Sequence, residues 1–380
     1  MSPHAARKRL RSIDALRGIA ALSVAGGHAL IAAPYDTVGG AWFPRFCLAV
    51  KWLSATGVPL FFVISGFCIH LAYAKRGLPD GRSRFRLGEF WRRRLWRLYP
   101  TYAVVLCLSM ALVVAQFLVS PDSPTVMRYP EPRPSWMGAD LLVHALMLHG
   151  LHPFFDQTGG NPPFWTLARE EYLYLMYPLI LWMRPGLGWG WLAGAMAGIT
   201  LLVEIAAPHL STGWAALLVT SAPALWIQWY LGSVAADAYC GRIRLPAVFS
   251  AAWMVPVWLV AAYTLPLGSI SLGLGYFTLV NACVRREAGG RWHDRGVTAV
   301  LTAAGVWSYS LYLVHHPVQT VLLSLSLHVG TFDTPLPFVM RALVLTGGSC
   351  AAALVLFVGV ESRFLRQVPI TTTKRHKEPS

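Results

Sequence analysis

Arg17 and His28 lie in the first apolar segment of the chain, with ten residues between them. Ionisable side chains are expensive in lipid and mark sites or water-filled paths. On an α-helix this separation turns about 1100° and climbs about 16 Å. Both side chains therefore point the same way, roughly three turns apart. An arginine near the end of a span suits anion binding, and a histidine deeper in suits proton transfer. The plainer alternative stands beside this one: Arg17 snorkels to the interface and His28 is a satisfied interior histidine.

Further chemistry-bearing stretches follow. Lys75 to Pro100 carries nine basic residues with aromatics between them. It can serve topology and anionic lipid, or dock a phosphorylated substrate. Arg94 and Arg97 are three apart on a predicted helix, share a face, and can grip phosphate with two prongs. In Gly57 to Phe67, the small pair Ser65-Gly66 lets another helix or a ligand come close. Phe164 to Pro178 opens an apolar helix with Arg169, Glu170 and Glu171. Acids favour helix starts, but adjacent glutamates point about 100° apart, so at least one faces the bundle interior. Trp307 to Pro317 holds Ser308, Tyr309, His315 and His316 in another span, as packing bonds or as a site. Glu204, Asp237 and Glu361 sit near predicted helix ends and are weaker candidates.

Something must hold these groups at fixed depth, and the composition says what. Of the 380 residues, 55% are apolar and only 13% charged, against about 25% charged in soluble domains. Apolar runs recur along almost the whole length. The chain reads as an all-α integral membrane protein. About ten transmembrane helices are expected in one bundle, near 13–33, 54–74, 98–119, 164–183, 189–207, 214–236, 246–264, 267–284, 297–323 and 336–360. The piece at 138–150 reads as a half-helix or an interfacial helix, inside a proline- and glycine-rich loop over 120–163.

The basic start reads as a retained span and not a cleaved leader, because Asp14, Arg17 and His28 follow it. With the N-terminus in the cytoplasm, all but six of the 32 Lys and Arg fall inside. Both termini are therefore expected in the cytoplasm. Residues 1–12 form a basic cytoplasmic segment, 13–363 the membrane domain and 364–380 a basic cytoplasmic tail. The six cysteines are scattered, with no metal-type spacing. No P-loop, dinucleotide fingerprint, zinc-protease helix or nucleophile elbow is present. The net charge of +15 fits cytoplasmic loops better than nucleic acid.

Taken in order, these pieces make the sequence resemble the membrane-bound acyltransferase-3 family, which includes bacterial O-acetyltransferases of surface polysaccharides. The resemblance runs from about Ile13 to Arg363. It is carried by Arg17 and His28 preceded by Asp14, by Phe61 to Phe67, and by Arg94, Arg97 and Pro100. Trp165 to Tyr174 and Ser308 to Pro317 complete it, the latter selecting His315 over His316. Thr166 stands where serine is usual, which keeps a hydroxyl. Arg169 replaces an apolar residue, which unsettles the local charge balance.

The resemblance implies an O-acyltransferase in the cytoplasmic (inner) membrane. It would move an acyl group, acetyl first, from cytoplasmic acyl-CoA to a hydroxyl of a glycan or lipid-linked sugar. His28 would be the general base. Asp14 would stabilise polar groups beside it, if a helix break at Gly26-Gly27 shortened a separation of about 21 Å. Glu170 would position the acceptor or hold the tautomer of His28. Arg17, Arg94 and Arg97 would hold the CoA phosphates. Ser65, Trp165, Tyr174, Ser308, Tyr309 and His315 would line or brace the site. No metal is expected, and a separate periplasmic or glycan-assembly partner would complete delivery. A small-molecule acceptor such as a macrolide is the alternative within the enzyme class. A transporter or flippase of an anionic lipid-linked metabolite is the rival outside it.

Reporter fusions after residue 80 and at the C-terminus should both read cytoplasmic. A periplasmic signal at either would reverse the expected orientation.

Overall fold

The computed structural model describes residues 9–32, 38, 40–75, 86–119, 134–265, 267–326 and 334–367. The basic residues Arg76, Arg82 and Arg84 and all of 120–133 lie outside them. All regular structure among the described residues is helical. The longer helices are α1 (Arg11–Ile31), α2 (Trp42–Ala55), α3 (Gly57–Ala74), α4 (Leu87–Val119), α5 (Pro134–Ala145) and α6 (Trp165–Ala206). They continue with α7 (Thr212–Val219), α8 (Ala222–Tyr239), α9 (Met254–Thr264), α10 (Gly268–Ala288), α11 (Val297–Val306), α12 (Ser308–Ser326) and α13 (Pro335–Leu356). A π-turn over Phe357–Glu361 leads into the short α14 (Ser362–Gln367).

Among the described residues, four helical stretches are long and apolar enough to cross a membrane: Trp42–Ala74, Leu87–Val119, Pro162–His209 and Pro335–Leu365. The bent pair Val297–Val306 and Ser308–Leu325 would make a fifth. This supports a multi-pass membrane protein and stops short of the ten spans expected.

Several boundaries differ from expectation. The spans expected at 164–183 and 189–207 join into α6, broken only at Gly188, whose φ of 72° is left-handed. The span expected at 214–236 is interrupted at Thr220 and Ser221. The span expected at 297–323 turns through 81° after α11, where the Ser308 hydroxyl ties back to Gly305 O at 3.0 Å. α1 runs unbroken through Gly26 and Gly27. No break at that glycine pair draws Asp14 toward His28.

Small residues set the closest helix contacts, as expected where lipid tails compete with every apolar side chain. Gly66 of α3 packs on the backbone of Trp229 in α8, and Gly232 of α8 packs on the backbone of Val63 and Phe67 in α3. A Cβ on either would collide with backbone. Gly18 and Gly305 make the same reciprocal contact between α1 and α11. The first amides of α1 have no cap of their own. Glu287 of α10 supplies one, accepting from Arg11 N at 3.0 Å, Ser12 N at 2.8 Å and Ser12 Oγ at 2.6 Å. A carboxylate there satisfies orphan donors and suits the helix dipole. α1, the helix that carries Arg17 and His28, is thus pinned to α11 and capped from α10.

Gly232→Ala should overpack the α3–α8 seam and lower stability by about 1–3 kcal/mol. Thermal unfolding in detergent reads this. A wild-type melting temperature would show that the seam tolerates a methyl.

Candidate functional site

Two cavities meet inside the bundle. The smaller, of about 90 Å³, receives Arg17 from α1, Arg94 and Arg97 from α4, and Ser65 from α3. Glu170 and Tyr174 from α6 line it too, as do Ser308 and Tyr309 from α12. Helical spacing explains the convergence. Arg94 and Arg97 are one turn apart on α4, and Glu170 and Tyr174 are one turn apart on α6. Ser65 turns into this cavity while its neighbour Gly66 packs on α8.

One carboxylate organises the polar lining. Glu170 Oε1 accepts from Ser65 Oγ at 2.7 Å and from the Tyr174 hydroxyl. Trp229 Nε1 donates to Ser65 Oγ at 3.3 Å from behind. The Arg94 guanidinium lies 5.3 Å from the centre of the Tyr174 ring, a cation–π contact. Among the described residues, no hydrogen bond or ion pair holds Arg17, Arg94 or Arg97. Three half-buried guanidiniums facing one space with one carboxylate leave a net positive cavity, suited to a phosphate-bearing ligand.

The larger cavity, of about 720 Å³, is lined by His28, Lys51, Trp165, Gln228, His316 and Gln319 among others. His28 does not stand alone. Its Nδ1 lies 2.9 Å from His315 Nε2. The two rings are within 5° of parallel with centroids 5.1 Å apart. Nitrogens so much closer than the centroids mean an edge-to-edge hydrogen bond and not a face-to-face stack.

The far side of His315 decides the direction of that bond. Its Nδ1 lies 2.7 Å from Tyr312 O and 3.2 Å from Leu311 O. Carbonyl oxygens only accept, so His315 Nδ1 carries a hydrogen. With both rings neutral, His315 Nε2 is an acceptor and His28 Nδ1 donates to it. That leaves the lone pair of His28 on Nε2, the state a general base needs. His315 is fully buried, so water does not compete for its ring.

The expected residues divide into groups. Arg17, Ser65, Arg94, Arg97, Glu170, Tyr174, Ser308 and Tyr309 share the small cavity. Their anchors include a hydrogen bond from the Tyr309 hydroxyl to Leu98 O at 2.9 Å. His28 and Trp165 line the large one. His315 lines neither and acts on His28 from behind. His316, the neighbour that the resemblance does not select, lines the large cavity. Asp14 is not brought to His28: it pairs with Arg9 and lines neither cavity. Nor does Glu170 hold the tautomer of His28, because its oxygen serves Ser65 and Tyr174 while His315 serves His28.

Of the weaker candidates, Glu361 accepts from Ser310 Oγ at 2.5 Å. Asp237 pairs with Arg184 and lies 3.0 Å from His70 Nε2. Glu204 accepts weakly from Ser269 N at 3.4 Å. Two further residues belong to the site: Tyr312, whose hydroxyl lies 2.7 Å from Thr166 Oγ1, and Gln319, which donates to Ala25 O at 2.9 Å. Tyr312 sits inside the Ser308 to Pro317 stretch that drew attention, so a signal was there. His70 carried none, because its partners Tyr177, Arg184 and Asp237 lie more than a hundred residues away.

Arg169 is fully buried and balanced. Its Nη2 lies 2.5 Å from Asp156 Oδ1, its Nη1 donates to Gly150 O at 3.0 Å and its Nε to Thr220 O at 2.8 Å. The residue that unsettled the charge count thus clamps two connecting segments together over the large cavity, which Gln157 and Thr220 also line. Burial pushes the Asp156 carboxyl above its usual range, and the Arg169 guanidinium opposes that rise. The same region is braced by Asp140, which accepts from Thr158 Oγ1 at 2.5 Å and Gly159 N at 2.7 Å.

The model of one acyltransferase domain family matches residues 10–358 of the chain. The chain is 27% identical over 340 residues to acyltransferase MdmB of Streptomyces mycarofaciens, covering 82% of this chain and 79% of that protein. It is 28% identical over 138 residues to the O-acetyltransferase OatA of Staphylococcus aureus, covering 35% of this chain and 21% of that protein. The match to OatA therefore spans about a fifth of its length. No solved structure matches.

Arg169→Met leaves Asp156 buried without its cation and should cost about 3–5 kcal/mol. Asp156→Asn keeps an acceptor for the guanidinium and should cost less. Equal melting temperatures for Arg169→Met and wild type would make the clamp a bystander.

Proposed function

The chain belongs to the membrane-bound acyltransferase-3 family and is an O-acyltransferase; from this we propose that it transfers an acyl group, acetyl first, from acyl-CoA to a hydroxyl of a glycan or lipid-linked sugar. The observation that carries the proposal is the division of the site. Three arginines with no hydrogen bond or ion pair among the described residues line one cavity, and a histidine poised with its lone pair on Nε2 lines the next.

Arg17, Arg94 and Arg97 grip the phosphates of the donor. A cavity of about 90 Å³ is far below the several hundred Å³ of a typical ligand site, so it receives the phosphate end of the pantetheine arm and leaves the nucleoside outside. Arg17 and His28 are separated along α1 by about 16 Å of rise, a span comparable with that arm. The thioester then arrives beside His28, and the acceptor enters the cavity of about 720 Å³. On this reading the arginines face the cytoplasm, both termini are cytoplasmic, the ten-span arrangement holds and the protein resides in the inner membrane.

The chemistry is one balanced exchange. His28 Nε2 takes the proton of the acceptor hydroxyl as its oxygen attacks the thioester carbonyl. The C–O bond forms, the C–S bond breaks, and the departing thiolate receives the proton from His28. An ester and CoA thiol result. His315 is a positioning residue. Its Nε2 holds the Nδ1 proton of His28, and its own Nδ1–H rests on the Tyr312 carbonyl. Glu170 orders the hydroxyls of Ser65 and Tyr174 beside the arm. The ester requires no metal, and a separate partner on the far face receives the product.

His28→Ala should lower transfer of labelled acetyl to the glycan fraction by about 10²–10⁴-fold while CoA still binds. His315→Gln, which keeps an acceptor near Nε2, should outperform His315→Leu. Arg94→Ala with Arg97→Ala should weaken CoA binding by about tenfold or more, as expected from losing one charge-assisted bond of about 1.5 kcal/mol. Near-normal transfer by folded His28→Ala would remove the mechanism. Unchanged CoA affinity in the double variant would return the arginines to topology and lipid contact.

A further inference from the structure

The two cavities have different chemistry and share part of their walls. Val58 and Phe62 of α3 and Tyr312 of α12 line both. A side chain that borders two spaces stands between them. Val58 and Phe62 are one turn apart on the same face of α3. Tyr312 is tied in place by Thr166 Oγ1 at 2.7 Å, and the neighbouring Phe61 ring meets it edge-on with centroids 5.7 Å apart. The arginines line only the small cavity and His28 only the large one. The wall that the two cavities share lies between a donor gripped by the arginines and His28.

We propose that Val58, Phe62 and Tyr312 form a width filter for the acyl group, passing acetyl and straight chains and rejecting groups branched next to the carbonyl. The proposal rests on the donor reading given above. The partition limits width and not length. A straight chain keeps one cross-section and extends into about 720 Å³ of space, whereas a branch must pass the three side chains beside the small cavity of about 90 Å³. Close packing gives the filter its force, since buried side chains resist even a methyl of extra volume. Such discrimination is worth about 10–200-fold for one methylene-sized difference.

The test uses the purified full chain in detergent with methyl glucoside as a soluble hydroxyl. CoA thiol release, by transfer or hydrolysis, is followed from acetyl-CoA, butyryl-CoA and isobutyryl-CoA. Wild type should favour butyryl over isobutyryl, two groups of equal carbon count, by about tenfold or more. Val58→Ala and Phe62→Ala should each shrink that preference by at least half its logarithm. Leu272→Ala, which enlarges only the large cavity, should leave it. Val58 is half-buried and loses little on truncation, so it carries the test if Phe62→Ala fails to fold. Equal use of butyryl and isobutyryl by wild type overturns the filter. So does an unchanged preference in the folded partition variants, or an equal loss in Leu272→Ala. A folded wild type that neither binds CoA nor releases thiol overturns the donor reading, and the filter with it.

Discussion

An unsatisfied polar group in an apolar bundle costs several kcal/mol, and that cost governs how the helices of this chain meet. His315 is fully buried and has two ring nitrogens to satisfy. One rests on carbonyls of its own helix, and the other requires a donor from elsewhere. His28 of α1 is that donor. The bond sets the rotation of α1 against α12, and with it the side of α1 that Arg17 presents. Gly18 against Gly305 then fixes the approach of α1 to α11, and Glu287 fixes its start. The same economy places Glu170, which meets two hydroxyls rather than water.

Much of the site was legible because it depends on helical period alone. Arg94 with Arg97, and Glu170 with Tyr174, needed only one turn of spacing to share a face. The pair Ser65-Gly66 suits both packing and ligand approach; Gly66 packs on α8 and Ser65 turns into the small cavity. Placement across helices was less legible. Nothing in the spacing tells that His315, and not Glu170, fixes the tautomer of His28, because that depends on which helices are neighbours. Asp14 was drawn toward His28 by an imagined helix break at Gly26-Gly27. The helix stays whole there, and Gly27 packs on the Ser54 side chain.

The fold was legible as a class and less so in its joints. Apolar runs announce a membrane bundle, but periodicity does not report the bend after α11 or the interruption between α7 and α8. Those joints depend on particular polar bonds. Ser308 turns back to Gly305 O, and Thr220 O is taken by Arg169. Arg169 is the instructive case. Its charge looked misplaced in an apolar run until Asp156, thirteen residues earlier in a connecting segment, supplied the counter-ion.

Separating the two cavities resolves a conflict that one pocket would not. An anion site needs concentrated positive charge, while a neutral imidazole beside clustered guanidiniums would have its basicity lowered and its orientation disturbed. Here Arg17, Arg94 and Arg97 border one space, and His28 borders another across Val58, Phe62 and Tyr312. α1 contributes to both because its length spans the distance between them. Tyr312 joins the two halves twice: its ring stands in the partition, and its backbone carbonyl ends the hydrogen-bond chain that orients His28. A shift of α12 that moved the ring out of the passage would also move the carbonyl under His315. On the proposed reading, the width of the passage and the orientation of His28 are therefore coupled through one residue.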